Sequence, residues 1–189
     1  MPRLRRLLPA ALLIALAAWP LGRSQPVLAQ DASRYERFRE RFDGTWVLAT
    51  SERSAQRTVD RAIGRAVDAM NFFVRGVARP LLRDNTPVNT SIVLDFRGDD
   101  RIRVRFNTGW ETTTRVGRTE RAQTLDGDTM RVTQRLHDDG SLEQVFQADQ
   151  GTRWNVSRIG DDGRMTVQST VQGDMMPQPM RFSLPYRRQ

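Results

Sequence analysis

The sequence predicts a mainly β protein: an up-and-down antiparallel meander of about ten strands closed into a barrel, with a helical segment inserted between strands 1 and 2 and a short N-terminal helix. Three observations predict it. Downstream of Pro87 apolar and polar residues alternate, the two-residue period of a strand with one buried face. Clusters of Gly, Asp and Asn interrupt that alternation at intervals of roughly 9 to 12 residues, the spacing of hairpin turns. One long stretch, residues 54–83, carries apolar side chains at helical spacing.

Composition narrows the class. The 189 residues are 38% hydrophobic and 28% charged, which excludes a collagen, a disordered acidic tail and a polytopic membrane protein. A chain of this length buries about 70% of its unfolded surface, enough for one domain with its own core. With no cysteine, disulfide scaffolds, thiolate metal sites, thiol catalysis and a lipid-modified N-terminal cysteine are excluded as well.

Residues 1–29 read as a signal peptide. Arg3, Arg5 and Arg6 give a positive start, residues 7–19 are a short apolar run, and Val27 and Ala29 supply small residues before a cut between Ala29 and Gln30. The run is shorter than the roughly 20 residues a membrane span needs. Residues 30–189 are then the folded domain. Arg3, Arg5, Arg6 and Arg23 leave with the leader, so the remaining basic residues, all arginine, come close to balancing the 22 acids. Acidic residues are interleaved throughout, which argues against a nucleic-acid-binding face.

The mature chain opens with a helix over residues 33–42. Ser33 caps it, Glu36 follows at capping-box spacing, and Tyr35, Phe38 and Phe42 share one face. Asp43 and Gly44 turn the chain into a first strand, Thr45-Trp46-Val47-Leu48-Ala49-Thr50. In residues 54–83 Val59, Ile63, Val67, Met70, Val74, Val77 and Leu81 form one stripe, with Arg57, Asp60, Arg61, Arg65, Asp68, Asn71, Arg75 and Arg79 on the other side. Pro80, Gly64 and Gly76 are the weak points at which this run breaks into two helices.

The remaining strands follow in order. Ile92, Leu94 and Phe96 alternate with polar neighbours, as do Ile102, Val104 and Phe106; the pattern continues through residues 110–116, 119–125, 130–136, 142–148, 152–159, 165–171 and 180–186. A sheet this large has edges that invite aggregation unless it closes. Pro185, lacking an N–H, suits the end of the last strand. A membrane-spanning barrel would need longer strands with an apolar outer band. Two packed sheets are the other alternative.

If the alternating apolar set points inward, Thr112, Thr114, Gln134, Gln144, Ser169 and Tyr186 share the interior with Trp110, Trp154, Phe146, Phe182 and other apolar residues. A mostly apolar cavity with a few hydrogen-bonding groups is what a small amphiphile requires. The alternative is a filled core in which those polar groups satisfy one another. The candidate ligand-binding residues are Trp110, Thr112, Thr114, Gln134, Gln144, Trp154, Ser169 and Tyr186.

His137 is the sole histidine, in a turn, and no serine stands in a nucleophile elbow, so neither a catalytic set nor a metal or cofactor site is expected. The aspartates of Asp138-Asp139-Gly140 and Asp161-Asp162 are read as turn chemistry rather than calcium ligands. Arg97-Gly98-Asp99 is read as a tight turn. Asn89-Thr90-Ser91 and Asn155-Val156-Ser157 match the glycosylation pattern.

Phe42-Asp43-Gly44-Thr45-Trp46-Val47-Leu48 resembles the opening of the calycin families, the lipocalins and fatty-acid-binding proteins, in which a Gly-x-Trp on the first strand closes one barrel end. A first strand, a helical segment and nine further strands resemble the fatty-acid-binding arrangement, where a helical pair forms a lid between the first two of ten strands. The resemblance runs over about residues 33–188 and lies in topology more than in shared motifs. It implies that a late arginine stacks on Trp46 as in lipocalins, from Arg187 or its neighbour Arg188; Gly44, Trp46 and Arg187 form the expected closure set. The carboxylate-binding Arg-x-Tyr of the fatty-acid binders is replaced by Leu184-Pro185-Tyr186.

The expectation is an exported, periplasmic or extracellular, monomeric and non-enzymatic protein that sequesters a small hydrophobic or amphiphilic molecule under a helical cap at 54–83. The alternative is an envelope module with a filled barrel, whose helical segment 54–83 makes peripheral contact with a membrane surface or a partner protein.

Overall fold

The computed structural model describes residues 25–98 and 100–189, with side chains from residue 32 onward. Most of the expected leader lies outside the described residues, as does Asp99 of the Arg97-Gly98-Asp99 turn. The chain runs α1 (Gln25–Phe42), β1 (Gly44–Leu48), α2 (Glu52–Asp68), α3 (Phe72–Asp84), β2 (Ser91–Arg97), β3 (Arg101–Phe106), β4 (Glu111–Arg115), β5 (Thr119–Gln123), β6 (Thr129–Leu136), β7 (Leu142–Ala148), β8 (Gly151–Ile159), β9 (Met165–Gly173) and β10 (Met180–Arg188). Helix α1 begins upstream of the expected start at residue 33 and runs through the expected cleavage point.

The ten strands form one antiparallel sheet in the order β4-β3-β2-β1-β10-β9-β8-β7-β6-β5. From β2 to β4 and from β5 to β10 consecutive strands pair through short hairpins, while β1 pairs with β2 across the inserted helices. The ring closes where β1 meets β10, with Trp46 opposite Arg188, Val47 opposite Arg187 and Leu48 opposite Tyr186. The expected ten-stranded barrel is observed, nearly closed, with a seam where β4 and β5 are neighbours without a ladder between them. Gly117, in the turn between them, donates its N–H to the Gln134 carbonyl of β6 at 2.8 Å, drawing the chain past β5. Side chains bridge the seam: Trp110 Nε1 donates to the Gln123 carbonyl at 2.6 Å and Glu120 Oε1 accepts from the Arg115 N–H at 3.0 Å.

Helix α1 plugs one end. Tyr35, Phe38 and Phe42 are buried there, and the polar contacts of α1 reach the turns that surround it. Tyr35 donates its hydroxyl to the Arg101 carbonyl at 2.5 Å; Arg34 reaches the Leu136 carbonyl and pairs with Asp138 at 3.0 Å; Arg41 reaches the Ile159 carbonyl at 3.3 Å. Burial holds the Tyr35 hydroxyl up at a pKa of about 12. Between α1 and β1 the backbone turns sharply at Gly44, whose φ of 126° favours glycine. Trp46 Nε1 then donates back to the Phe42 carbonyl at 2.8 Å.

The closure set needs one correction. Arg188, not Arg187, lies over the Trp46 ring, at 5.0 Å from its centroid, and also donates to the Arg41 carbonyl. Side chains alternate along a strand, so the residue in register with Trp46 shares its face and the next one points away.

Helices α2 and α3 cover the other end. The expected helical run breaks at Ala69 to Asn71 rather than at its glycines or Pro80, because the Asn71 side chain accepts the Phe73 N–H and starts a new helix. Helix α2 buries Ala55, Val59, Ala62, Ile63, Ala66 and Val67 against the barrel; α3 buries Ala78 alone. Across the outer wall of β2 and β3, Asp95 pairs with Arg97 at 2.7 Å and Arg103 at 3.0 Å, so that wall is not the apolar band of a membrane-spanning barrel.

Candidate functional site

The strand registers arrange the interior in rows. One row runs Gln134, Gln144, Asn155, Ser169 and Phe182 across β6 to β10, all nearly or fully buried. The next row toward the helical end runs Val132, Phe146, Arg153, Val171 and Met180. The row toward the plugged end runs Leu136, Leu142, Ser157, Val167 and Leu184. A polar girdle therefore crosses the interior, with a guanidinium one step nearer the helical end.

The girdle divides into two hydrogen-bonded groups. Gln134 is fully buried and donates to the Ile102 carbonyl at 2.8 Å and to Thr114 Oγ1 at 2.9 Å, while its own carbonyl accepts from Gln144 Nε2 at 2.9 Å. In the second group Asn155 Oδ1 accepts from Ser169 Oγ at 2.8 Å and from Arg153 Nε at 3.0 Å. Gln144 and Asn155 face each other in register, yet among the described residues no hydrogen bond joins them. Thr114 and Gln134 satisfy each other, as the filled-core alternative requires; Arg153, Asn155, Ser169 and Gln144 retain capacity for a guest.

Arg153 is the unusual member. Its side chain points into the barrel with no carboxylate partner among the described residues, its guanidinium carbon 5.8 Å from the centre of the Phe182 ring. Burial pulls its pKa below the ordinary arginine value, and the nearby Tyr186 phenol opposes that shift. Tyr186 is held up at about 12 by its own burial, and its hydroxyl donates to the Asn89 carbonyl at 2.8 Å. In register with Arg153, Phe146 joins an aromatic group at the helical end, 6.1 Å from Phe106 and 5.8 Å from Trp110, with the latter two stacked. A cation beside an aromatic wall, with amide and hydroxyl groups below it, suits an amphiphile with an acidic head.

The expected site residues fall into three groups. Gln144 and Ser169 lie in the girdle, and Trp110 and the half-buried Thr112 line the interior near the opening. Thr114, Gln134 and Tyr186 are interior but engaged with other protein groups. Trp154 is misplaced by the expectation: it stands opposite Val145 and Thr170 on the other face of β8. On this strand the hydrophobic alternation is inverted, with Trp154 and Val156 outward and Arg153, Asn155 and Ser157 inward. Arg153 and Asn155 were therefore missed. A usable signal existed, since the two-residue loop Asp149-Gln150 fixes Ala148 opposite Gly151, and counting back puts Arg153 opposite the inward Phe146.

Other motifs resolve simply. Asn89 and Asn155 are 7% and 2% exposed, so both sequons are closed to glycosylation in the folded protein. Asp139 accepts from the Ser141 N–H at 3.0 Å and pairs with Arg158 at 3.0 Å; the Ser141 bonds hold its carboxyl at about 2.

No protein-family model and no curated protein matches the chain. Solved structures do. Wild-type fluorescent protein UnaG is 18% identical, with 80% of this chain and 99% of that one covered at a TM-score of 0.51. Apo lipid binding protein 8 of Caenorhabditis elegans is 10% identical, with 79% and 96% covered at 0.50. These likenesses concern the fold alone, a nearly closed ten-stranded antiparallel barrel with a helical pair between its first two strands.

Proposed function

We propose that the protein is an exported, non-enzymatic binding protein that sequesters a small amphiphile with an acidic head, the head set against Arg153 and the apolar part along Phe146, Phe106 and Trp110. The observation that carries this is the Arg153 guanidinium, turned into a barrel interior without a carboxylate partner among the described residues. A half-buried guanidinium without a counter-ion is poorly solvated, and an anionic guest supplies what the protein withholds. One of the fold neighbours is by name a lipid binding protein, which agrees with an apolar guest.

The chain's own residues supply the rest of the mechanism. Covering the guest's tail contributes about 25 cal/mol per Å² of apolar surface. Arg153 would hold the head by a charge-assisted hydrogen bond, and the remaining N–H groups of the Gln144 and Asn155 amides would donate to it. Helices α2 and α3 stand over the end at which such a guest enters.

Native mass spectrometry with dodecanoate tests this, together with displacement of a polarity-sensitive dye. A one-to-one adduct that displaces the dye is expected; neither adduct nor dye binding would end the proposal. Export is tested separately by sequencing the N-terminus of the protein recovered outside the cytoplasm, with Gln30 expected first.

A further inference from the structure

The chain's soft metal-ligating atoms gather in one place. Imidazole, thiolate and calcium-type oxygen ligands predict no metal site from the sequence, but thioether sulfur is a further class of ligand, and the chain has seven methionines. Three of them, Met70, Met175 and Met176, line one cleft of about 280 Å³ between the α2–α3 turn and the loop that joins β9 to β10. Asn71 and Asp174 are polar members of the same lining.

Two of the three sulfurs are held in place. Met70 lies at the break between the helices, where its N–H donates to the Val67 carbonyl at 2.9 Å and its carbonyl accepts from Arg75 Nε at 3.0 Å. In the β9–β10 loop the Met176 N–H donates to the Gly173 carbonyl at 3.0 Å, closing a tight turn. Gln172 Nε2 clamps that turn, donating to the Gly173 carbonyl at 3.0 Å and the Met176 carbonyl at 2.8 Å. The Gly173 N–H in turn donates to Met176 Sδ at 3.2 Å, which orients the sulfur and leaves it a second lone pair. Met70 and Met176 are 5% and 7% exposed, so packing alone accounts for both. It does not account for Met175, which is 74% exposed and buries little. The unbranched Met175 side chain has three rotatable bonds and can swing onto an ion held by the other two. Asp174 has no cationic partner among the described residues.

We propose that this cleft binds a soft monovalent cation, copper(I), with the thioethers of Met70, Met175 and Met176 as its ligands. The donor set selects this ion. Thioether sulfur is soft and uncharged and suits copper(I), whereas calcium, magnesium and manganese prefer oxygen, and zinc takes thiolate, imidazole or carboxylate. Asp174 places a carboxylate beside the single positive charge. The cleft shares no residue with Arg153 or the aromatic wall, so this inference goes beyond the ligand-binding reading and does not rest on it.

The absence of cysteine makes the test clean, since thioethers and the single imidazole are the soft side chains in competition. The full chain, carrying carbon-13 methionine methyl groups, is titrated with silver(I), a redox-inert probe of the same charge and the same preference for sulfur. One silver ion per chain is expected by native mass spectrometry. The methyl signals of Met70, Met175 and Met176 should shift, and those of Met130 and Met165 should not. Copper(I) supplied without oxygen should displace the silver, and zinc(II) should leave every methyl signal in place. Loss of an outer-shell partner alone costs about 10- to 100-fold in metal affinity, so Met175→Leu with Met176→Leu should weaken silver binding by at least as much. Leucine nearly matches methionine in volume, which keeps the packing, and circular dichroism checks that the barrel is intact. The proposal is overturned if no silver adduct forms, if the leucine variant binds silver as tightly as the parent, if copper(I) does not displace silver, or if His137→Gln alone abolishes binding, which would place the ion at the imidazole.

Discussion

Replacing Arg153 by methionine should raise the stability of the empty protein and lower its affinity for acidic amphiphiles alone. In the folded chain Arg153 makes one good hydrogen bond, 3.0 Å to Asn155 Oδ1, and a long contact of 3.4 Å to Ser169 Oγ. Losing a charge-assisted bond costs about 1.5–3 kcal/mol, whereas keeping a half-buried guanidinium without a counter-ion costs a similar amount. Asn155 Oδ1 keeps its bond from Ser169 at 2.8 Å, so methionine leaves no orphaned acceptor. The expected gain in urea unfolding is between zero and about 2 kcal/mol. For binding, one lost charge-assisted bond predicts dodecanoate held about 10- to 150-fold more weakly, with dodecanol changed by less than about threefold. The assay is calorimetric titration of both ligands into parent and Arg153→Met protein. Loss of more than about 2 kcal/mol of stability with equal weakening of acid and alcohol would refute the reasoning and make Arg153 a structural bolt.

Three further outcomes follow from the same contacts. Arg188→Ala should cost about 1–2 kcal/mol in urea unfolding, since it removes the contact over Trp46 and the tether to Arg41, while Arg187→Ala should cost less than about 0.5. Gln134→Met should cost about 2–4 kcal/mol, because it strands the Gln144 amide and removes the bridge to the Ile102 carbonyl. Both tyrosines are held up at about 12 by burial, so the unfolded chain releases their protons first. Stability from this source is complete below pH of about 10 and is lost as pH rises toward 12; absorbance at about 295 nm should show no phenolate before unfolding begins.

The architecture was legible wherever burial is one-sided. On β2, β3 and β10 one apolar residue in two points inward, so the alternation of Ile92, Leu94 and Phe96 or of Phe182 and Leu184 gave face and extent together. The lid position and the pairing of the Trp46 strand with the last strand were legible from order alone. The candidate site was harder to read for the reason that makes it a site: on β8 the polar set turns inward, against the rule that places Trp154 and Val156 inside. The seam between β4 and β5 was also hidden, because both strands carry ordinary strand residues and the diversion rests on one hydrogen bond from Gly117. Residues 54–83 carry a single stripe in sequence, but the break at Asn71 rotates its second half away from the core. Val77 and Leu81, expected on the buried stripe, are instead exposed.

The central claim is that a guest's acidic head lies against Arg153. The carbon-13 signal of carboxyl-labelled dodecanoate bound to the parent protein, followed from pH 8 to pH 4, tests it most directly. A head held by the guanidinium stays ionised, so the bound signal should not titrate in the parent and should titrate in Arg153→Met. A bound signal in the parent that titrates as free dodecanoate does in water would contradict the claim.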